Sequence, residues 1–127
     1  MKEVILDTNF LMAVSQFKVD IFSELKRICD FPYELFIIDK TINELESIIE
    51  EQKGKHKAAA KLALAIIKNK KIKKIKTKEG TVDGLILGIA DKDTVVATQD
   101  MELKRKLRKK RVSLIVLRQK KYLVFID

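Results

Sequence analysis

The sequence of 127 residues is poor in several residue types: it has one cysteine, one proline, one histidine and no tryptophan. A single cysteine, Cys29, excludes both a disulfide framework and a zinc ribbon, and it is typical of a reducing cytoplasm. No apolar run approaches the roughly 20 residues of a membrane-spanning helix. We therefore expect a cytoplasmic protein without a signal peptide or a membrane contact, folded as one domain over residues 1–127.

The single histidine is not expected to take part in catalysis. His56, the only histidine, lies in a lysine-rich stretch and is predicted to be an exposed surface residue. Any acid–base or metal chemistry must therefore depend on carboxylates.

Charge of one sign predominates, since 27 basic residues stand against 18 acidic ones and the formal net charge is +9. The excess is concentrated in two patches, at residues 53–78 and 104–111. Such patches favour a polyanionic partner, RNA or DNA, over a membrane surface.

Short runs of aliphatic residues alternate with amphipathic stretches along the chain. Buried strands are predicted at 4–6, 34–38, 94–97 and 112–117, an edge strand at 72–75 and a docking strand at 122–126. Helices are predicted after Asp7, from Asp20, from Thr41, over 58–68 with Leu62 and Ile66 facing the core, near Val82 and from Met101. This alternation predicts an α/β fold with a mostly parallel twisted sheet flanked by helices.

Four carboxylates occupy comparable places in that predicted fold. Asp7 and Asp100 follow two central strands, and Glu44 and Asp83 lie near the starts of two helices. Because strand ends and helix starts converge at one edge of a doubly wound sheet, the four acids are predicted to share one pocket.

Each acid also has a local interpretation. Asp7 or Asn9 could cap a helix, and Asp83 and Asp100 suit the positive end of a helix dipole. Glu44 completes the Thr-x-x-Glu spacing of a capping box that would begin at Thr41. These interpretations do not explain why the acids cluster.

Clustered carboxylates need a neutralising partner. Two of them about 4 Å apart repel by roughly 4 kcal/mol at an effective dielectric constant near 20. A folded protein tolerates that repulsion only if protons or a cation neutralise the site. Oxygen ligands without histidine or cysteine select hard ions, so Mg²⁺ or Mn²⁺ is the expected cofactor.

Four stretches resemble, in order, the acidic motifs of PIN-domain nucleases. They are Leu-Asp7-Thr8-Asn9, Thr-Ile-Asn-Glu44-Leu, Thr-Val-Asp83-Gly-Leu-Ile-Leu and Val-Ala-Thr98-Gln-Asp100-Met-Glu-Leu. The resemblance implies a PIN-like domain that cleaves single-stranded or looped RNA by activated water with Mg²⁺ or Mn²⁺. It also implies that Asp7, Glu44, Asp83 and Asp100 are catalytic and hold the metal. Thr8, Asn9 and Thr98 would support them by hydrogen bonding.

The stretch from Leu103 to Leu123 resembles one branch, the archaeal and eukaryotic group that processes pre-ribosomal RNA. Gly84 departs from the motif, because relatives often carry another acid or alanine there. That resemblance implies a ribosomal RNA precursor as the partner, and it allows a homodimer. A ribonuclease toxin that binds an antitoxin protein would share all four acids, but the basic excess and the Leu-Arg-Gln-Lys-Lys-Tyr tail favour ribosomal RNA processing. A catalytically inactive RNA-binding scaffold with this fold is a further alternative.

A basic run directly follows the fourth acid. For an isolated run, the ordinary interpretation is a solvated helix end whose cations complement the dipole. Its position beside the predicted site favours an RNA-binding groove instead. The predicted RNA-binding residues are Lys104, Arg105, Lys106, Arg108, Lys109, Lys110, Arg111, Arg118, Lys120 and Lys121.

Overall fold

The computed structural model describes residues 1–70 and 72–127, and it shows the predicted alternation of strands and helices. The strands are β1 (Lys2–Leu6), β2 (Tyr33–Ile38), β3 (Lys73–Ile75), β4 (Thr94–Ala97), β5 (Ser113–Arg118) and β6 (Tyr122–Ile126). The helices are α1 (Thr8–Gln16), α2 (Ile21–Ile28), α3 (Asp39–Glu51), α4 (Lys55–Asn69), α5 (Val82–Ile89) and α6 (Met101–Lys109).

The six strands form one sheet in the order β3-β2-β1-β4-β5-β6. The strands from β3 to β5 are parallel to their neighbours, and β6 is antiparallel to β5. In the central pair, Leu6 of β1 is in register with Ala97 of β4. The residues that follow these two strands therefore lie side by side at one edge of the sheet, as the sequence predicts.

Helices cover both faces of the sheet. Successive side chains of a strand point to opposite faces, so one strand contributes to the core on each side. Val4 and Leu6 of β1 pack in a core with residues of α1, α2, α3 and α4. Ile5, between them, packs in a second core with residues of α5 and α6. The α/β fold with a mostly parallel sheet is thus confirmed.

The predicted inner face of α4 is confirmed for Ile66, which is partly buried against the core, and is wrong for Leu62. Leu62 is 47 % exposed, whereas Ala59, Ala60 and Ala63 are buried. The small alanine side chains allow α4 to pack closely on α1 and α3, and this packing turns the larger leucine outward. The helix also begins three residues earlier than predicted, after Gly54, whose φ of +66° suits glycine.

The β5–β6 connection is a hairpin that residue preferences do not predict. Gln119 and Lys120 form its turn, both with positive φ, where asparagine and glycine are the usual residues. His56 is exposed, as expected. Across residues 1–70 and 72–127, every helix is too short or too polar to cross a membrane.

Candidate active site

Asp7 is at the centre of the site. It directly follows β1, caps α1 and is only 2 % exposed. One carboxylate oxygen, Oδ1, accepts the Thr8 backbone N–H at 2.9 Å, and the other, Oδ2, accepts the Thr98 hydroxyl at 2.8 Å. Both oxygens of this buried side chain are therefore held in place.

Thr98 connects two of the predicted acids. It follows β4, is fully buried, and its Oγ1 accepts the backbone N–H of Asp100 at 3.1 Å. Asn9 supports the same segment, because its Oδ1 accepts the Gln99 backbone N–H at 3.2 Å. The hydrogen bonds of Thr98 and Asn9 thus join the ends of β1 and β4.

The capping-box interpretation of Glu44 is wrong. The helix α3 begins at Asp39, two residues before Thr41, and its start has no side-chain cap. Thr41 is instead fully buried inside the helix. The Thr8 hydroxyl donates to Glu44 Oε1 at 2.5 Å, and the Thr8 and Thr41 hydroxyl oxygens lie 3.2 Å apart. Glu44 therefore belongs to the network around Asp7.

Asp83 and Asp100 lie at the starts of the two helices on the other face. Asp83 is in the first turn of α5, which Thr81 caps by accepting the Gly84 N–H at 3.1 Å. Asp100 caps α6, with Oδ1 accepting the Leu103 N–H at 2.7 Å. Asp7 and Asp100 therefore each cap a helix and also belong to the group of four acids.

The acids influence one another electrostatically. The pKa of Asp7 is raised to about 6, mainly because burial disfavours its charge, and the nearby Asp83 and Glu44 raise it further. Hydrogen bonds from Thr98 and Thr8 oppose this rise in the pKa of Asp7. Burial and the charge of Asp100 raise the pKa of Asp83, while Lys106 lowers it.

The predicted single pocket consists of two neighbouring cavities that share Thr81 and Asp83. The larger, of about 860 Å³, is also lined by Asp7 and Glu44. The smaller, of about 220 Å³, contains Asp100. The sequence interpretation placed all four acids in one pocket, whereas Asp100 lines only the smaller of these two adjoining cavities.

The chemistry of these residues fits a divalent cation. Within residues 1–70 and 72–127, no three acidic, histidine or cysteine side chains are close enough to hold an ion together. Mg²⁺, however, keeps several waters and usually binds through one or two carboxylates. Asp7 and its acidic neighbours offer only oxygen ligands, and their mutual repulsion favours a cation. The donor set therefore suits hydrated Mg²⁺ or Mn²⁺.

The predicted RNA-binding residues are spread over α6, the end of β5 and the turns that follow these elements. Lys106 lines the smaller cavity, and Arg118 ends β5 at the same edge of the sheet as Asp7. Further along, Arg108 donates to the Asp127 carbonyl at 2.8 Å and Lys110 to the Leu87 carbonyl at 2.7 Å. The second half of α6 thus leads away from the acids. The remaining predicted residues, Lys104, Arg105, Lys109, Arg111, Lys120 and Lys121, lie along α6 or in the segments after it.

Apart from Glu44, the sequence interpretation missed the residues that α3 contributes to the larger cavity. Five of its residues line the cavity: Lys40, Asn43, Glu44, Ser47 and Ile48. They recur at intervals of three and four, which place residues on one face of a helix. The periodicity was present in the sequence, but the buried Leu45 and its apolar neighbours indicated only a core-facing stripe.

Known proteins are similar to this chain in sequence. Residues 4–120 match the family described as a PIN-like domain. Ribonuclease VapC4 of Methanocaldococcus jannaschii is 37 % identical over 126 residues, covering 96 % of this chain and 95 % of that protein. Ribonuclease VapC9 of Archaeoglobus fulgidus is 29 % identical over 124 residues, covering 97 % and 87 %.

Solved structures share the fold. The PIN domain endonuclease Utp24 superposes with a TM-score of 0.77 at 23 % identity, covering 98 % of this chain and 93 % of that one. A domain of a functionally unknown protein from Methanocaldococcus jannaschii gives 0.61 at 15 % identity, covering 92 % and 91 %. The family match over residues 4–120 and the 37 % identity to VapC4 show that the chain belongs to the PIN-like domain family.

Proposed function

We propose that this chain is a metal-dependent endoribonuclease of the toxin type, which cleaves single-stranded or looped RNA and is inhibited by an antitoxin protein. The observation that carries this proposal is the buried Asp7, held at both oxygens and surrounded by Glu44 and Asp83. A buried acid whose pKa is raised by other acids in a cavity is typical of a functional site.

The residues of the chain have distinct roles in this proposal. Asp7 would hold the metal at the wall shared by α1 and the end of β1, and Asp83, Asp100 and Glu44 would contribute directly or through water. The bound ion supplies Lewis acidity, lowering the pKa of water and neutralising charge on the phosphate.

Thr8 and Thr98 act as positioning residues. Their hydrogen bonds hold the carboxylates of Glu44 and Asp7 in one orientation before substrate arrives. Preorganised groups of this kind need no rearrangement during the reaction, which is where electrostatic catalysis gains most.

With water as the attacking group, the ribose 2′-hydroxyl takes no part in the cleavage. The products are then a 5′-phosphate and a 3′-hydroxyl. A 2′,3′-cyclic phosphate would instead require attack by the 2′-hydroxyl.

The relatives favour the toxin reading over ribosomal RNA processing. The two curated relatives are VapC ribonucleases, a toxin class, and the first is 37 % identical over nearly its whole length. The likeness to Utp24, at 23 % identity, supports the fold alone. We therefore place the toxin function ahead of the processing function that the stretch from Leu103 to Leu123 suggests.

Regulated expression in a bacterial host tests this order. The wild-type chain should arrest growth, and Asp7→Asn, which keeps the side-chain volume but removes the charge, should not. Co-expression of a small protein encoded beside the gene should restore growth. Normal growth with active, soluble wild-type enzyme would contradict the toxin function and favour processing. Soluble protein that binds RNA but never cleaves it would support the scaffold.

A further inference from the structure

The larger cavity extends well beyond the acids. Its volume of about 860 Å³ falls in the range of roughly 300–1,000 Å³ that is usual for small-molecule sites. Besides the acids, it is lined by residues of α1 and α3 that the proposed chemistry does not use. The cavity is therefore large enough for a nucleotide as well as the reacting phosphate group.

We propose that this second part of the cavity is a seat for one unpaired nucleotide of the RNA, next to the bond that is cut. The seat consists of Met12 of α1 and of Lys40, Asn43, Ser47 and Ile48 of α3. The inference rests on the proposed function, since it names the part of the substrate that the same site recognises.

Lys40 provides the phosphate contact. Among the described residues that line the larger cavity, it is the one cation. Its ammonium donates to the Thr77 carbonyl at 3.2 Å and to Thr77 Oγ1 at 2.9 Å. An ammonium has three donors, so one remains for a phosphate oxygen.

The neighbours of Lys40 hold it in position without neutralising it closely. Its nearest carboxylate, Asp39, is 3.8 Å away and is itself engaged by the Thr77 hydroxyl and backbone N–H. The ammonium is thus oriented at the cavity wall by Thr77, and its ion pair with Asp39 is longer than a hydrogen bond.

Met12 and Ile48 form an apolar wall that suits the flat face of a base. Both are half-buried and lie on facing helices, α1 and α3. Asn43 and Ser47 are exposed polar residues one helical turn apart on the same face of α3. Proteins recognise unpaired bases by apolar contact with the face of the base and by hydrogen bonds to its edges, and in a paired base the face and the Watson–Crick edge are both covered.

The methionines of this chain allow a direct test. There are three: Met12 in the seat, and Met1 and Met101, which are 76 % and 78 % exposed. Methyl-¹³C methionine labelling therefore gives three methyl resonances, and Met12→Leu identifies the one from the seat. The titration uses the Asp7→Asn protein with a short single-stranded oligoribonucleotide of mixed sequence, followed in parallel by fluorescence anisotropy.

The seat predicts that ring currents of the bound base move the Met12 methyl resonance upfield, while that of Met1 stays in place. An abasic oligomer of the same length should bind on the order of fivefold more weakly, because it lacks base stacking, and should not shift Met12 in this way. An unmoved Met12 at saturation, or an equal shift with the abasic oligomer, would overturn the seat. The seat would also be overturned if a partner peptide, and not RNA, moved the Met12 methyl resonance upfield.

Lys40→Gln tests the phosphate contact, with Lys61→Gln on the exposed side of α4 as the matched control. The first should reduce the steepness of the log–log salt dependence of binding by about 0.7, the amount for one phosphate on a single strand, and the second should not. Equal salt slopes for the Lys40→Gln and Lys61→Gln variants would show that Lys40 makes no phosphate contact. If RNA moves Met12 but the wild-type enzyme cleaves no RNA, the proposed function fails while the seat stands.

Discussion

Asp7 lies in a position that is costly for a charged residue. Its folded pKa of about 6 exceeds the ordinary value of 3.8, and this difference corresponds to about 3 kcal/mol. The folded state therefore favours the protonated form of Asp7. This contribution to stability is full below pH 3.8 and is lost as pH rises through 6.

Asp7→Asn should therefore stabilise the metal-free protein at pH 7.5 by up to about 3 kcal/mol while abolishing cleavage. The variant does not titrate, so most of the gain should disappear near pH 4. Urea unfolding at the two pH values measures it. Adding Mg²⁺ should stabilise the wild type more than the variant, because an ion bound only to the folded state shifts unfolding. A variant less stable than the metal-free wild type at pH 7.5 would contradict this assignment.

Thr98→Val tests the hydroxyl that joins Asp7 to Asp100. The change leaves the Asp7 carboxylate and the Asp100 N–H without that partner, at an expected cost of about 1–3 kcal/mol. The pKa of Asp7 should rise, so the acidic limb of the pH–rate profile should move to higher pH. Thr98→Ser keeps the hydroxyl and should preserve the limb. If valine and serine give the same profile, the hydroxyl has no such role.

At the scale of elements, the structure shows which faces of the helices are buried. Leu62→Lys on the exposed face of α4 should change the free energy of unfolding by no more than about 0.5 kcal/mol. Ala63→Leu, one position along, should cost about 1–3 kcal/mol because the site is fully buried. Denaturant unfolding of the two variants compares them directly. A larger loss of unfolding free energy for Leu62→Lys than for Ala63→Leu would indicate that Leu62 is buried in the core.

The order of the elements could be predicted because aliphatic runs and their polar ends are strong local signals. Val4–Leu6 and Thr94–Ala97 read as parallel strands, and parallel strands bring Asp7 beside Thr98. The start of α3 could not be predicted, because no side chain caps it and the Thr-x-x-Glu spacing pointed two residues too far along. The Gln119–Lys120 turn likewise lacks the residues that mark a hairpin.

The packing of the helices against one another could not be predicted from the sequence either. Only the close approach of α4 to α1 and α3 explains why alanines lie inside and Leu62 outside. The acids themselves were recognisable from type and spacing. Their division between two cavities depends on side-chain geometry, which residue type and spacing do not specify.

For the whole molecule, the net charge of +9 should govern encounters with RNA. If binding neutralises about five phosphates, the affinity for a single strand should fall with a log–log salt slope near −3.5. Anisotropy titrations of the Asp7→Asn protein over a range of salt concentrations measure the slope. Lys106→Gln, beside Asp83 and Asp100, should make it shallower by about 0.7. A salt slope indistinguishable from zero would contradict the electrostatic contribution to RNA binding.

The measurement that tests the central claim most directly is analysis of the cleavage products of a labelled single-stranded RNA. With Mg²⁺ or Mn²⁺ the wild-type protein should produce 5′-phosphate and 3′-hydroxyl ends, and EDTA or Asp100→Asn should abolish the products. The variant keeps the side-chain volume and a capping oxygen, so it should still fold and bind RNA. Undiminished cleavage in EDTA, or ends that carry a 2′,3′-cyclic phosphate, would contradict metal-dependent hydrolysis by these carboxylates.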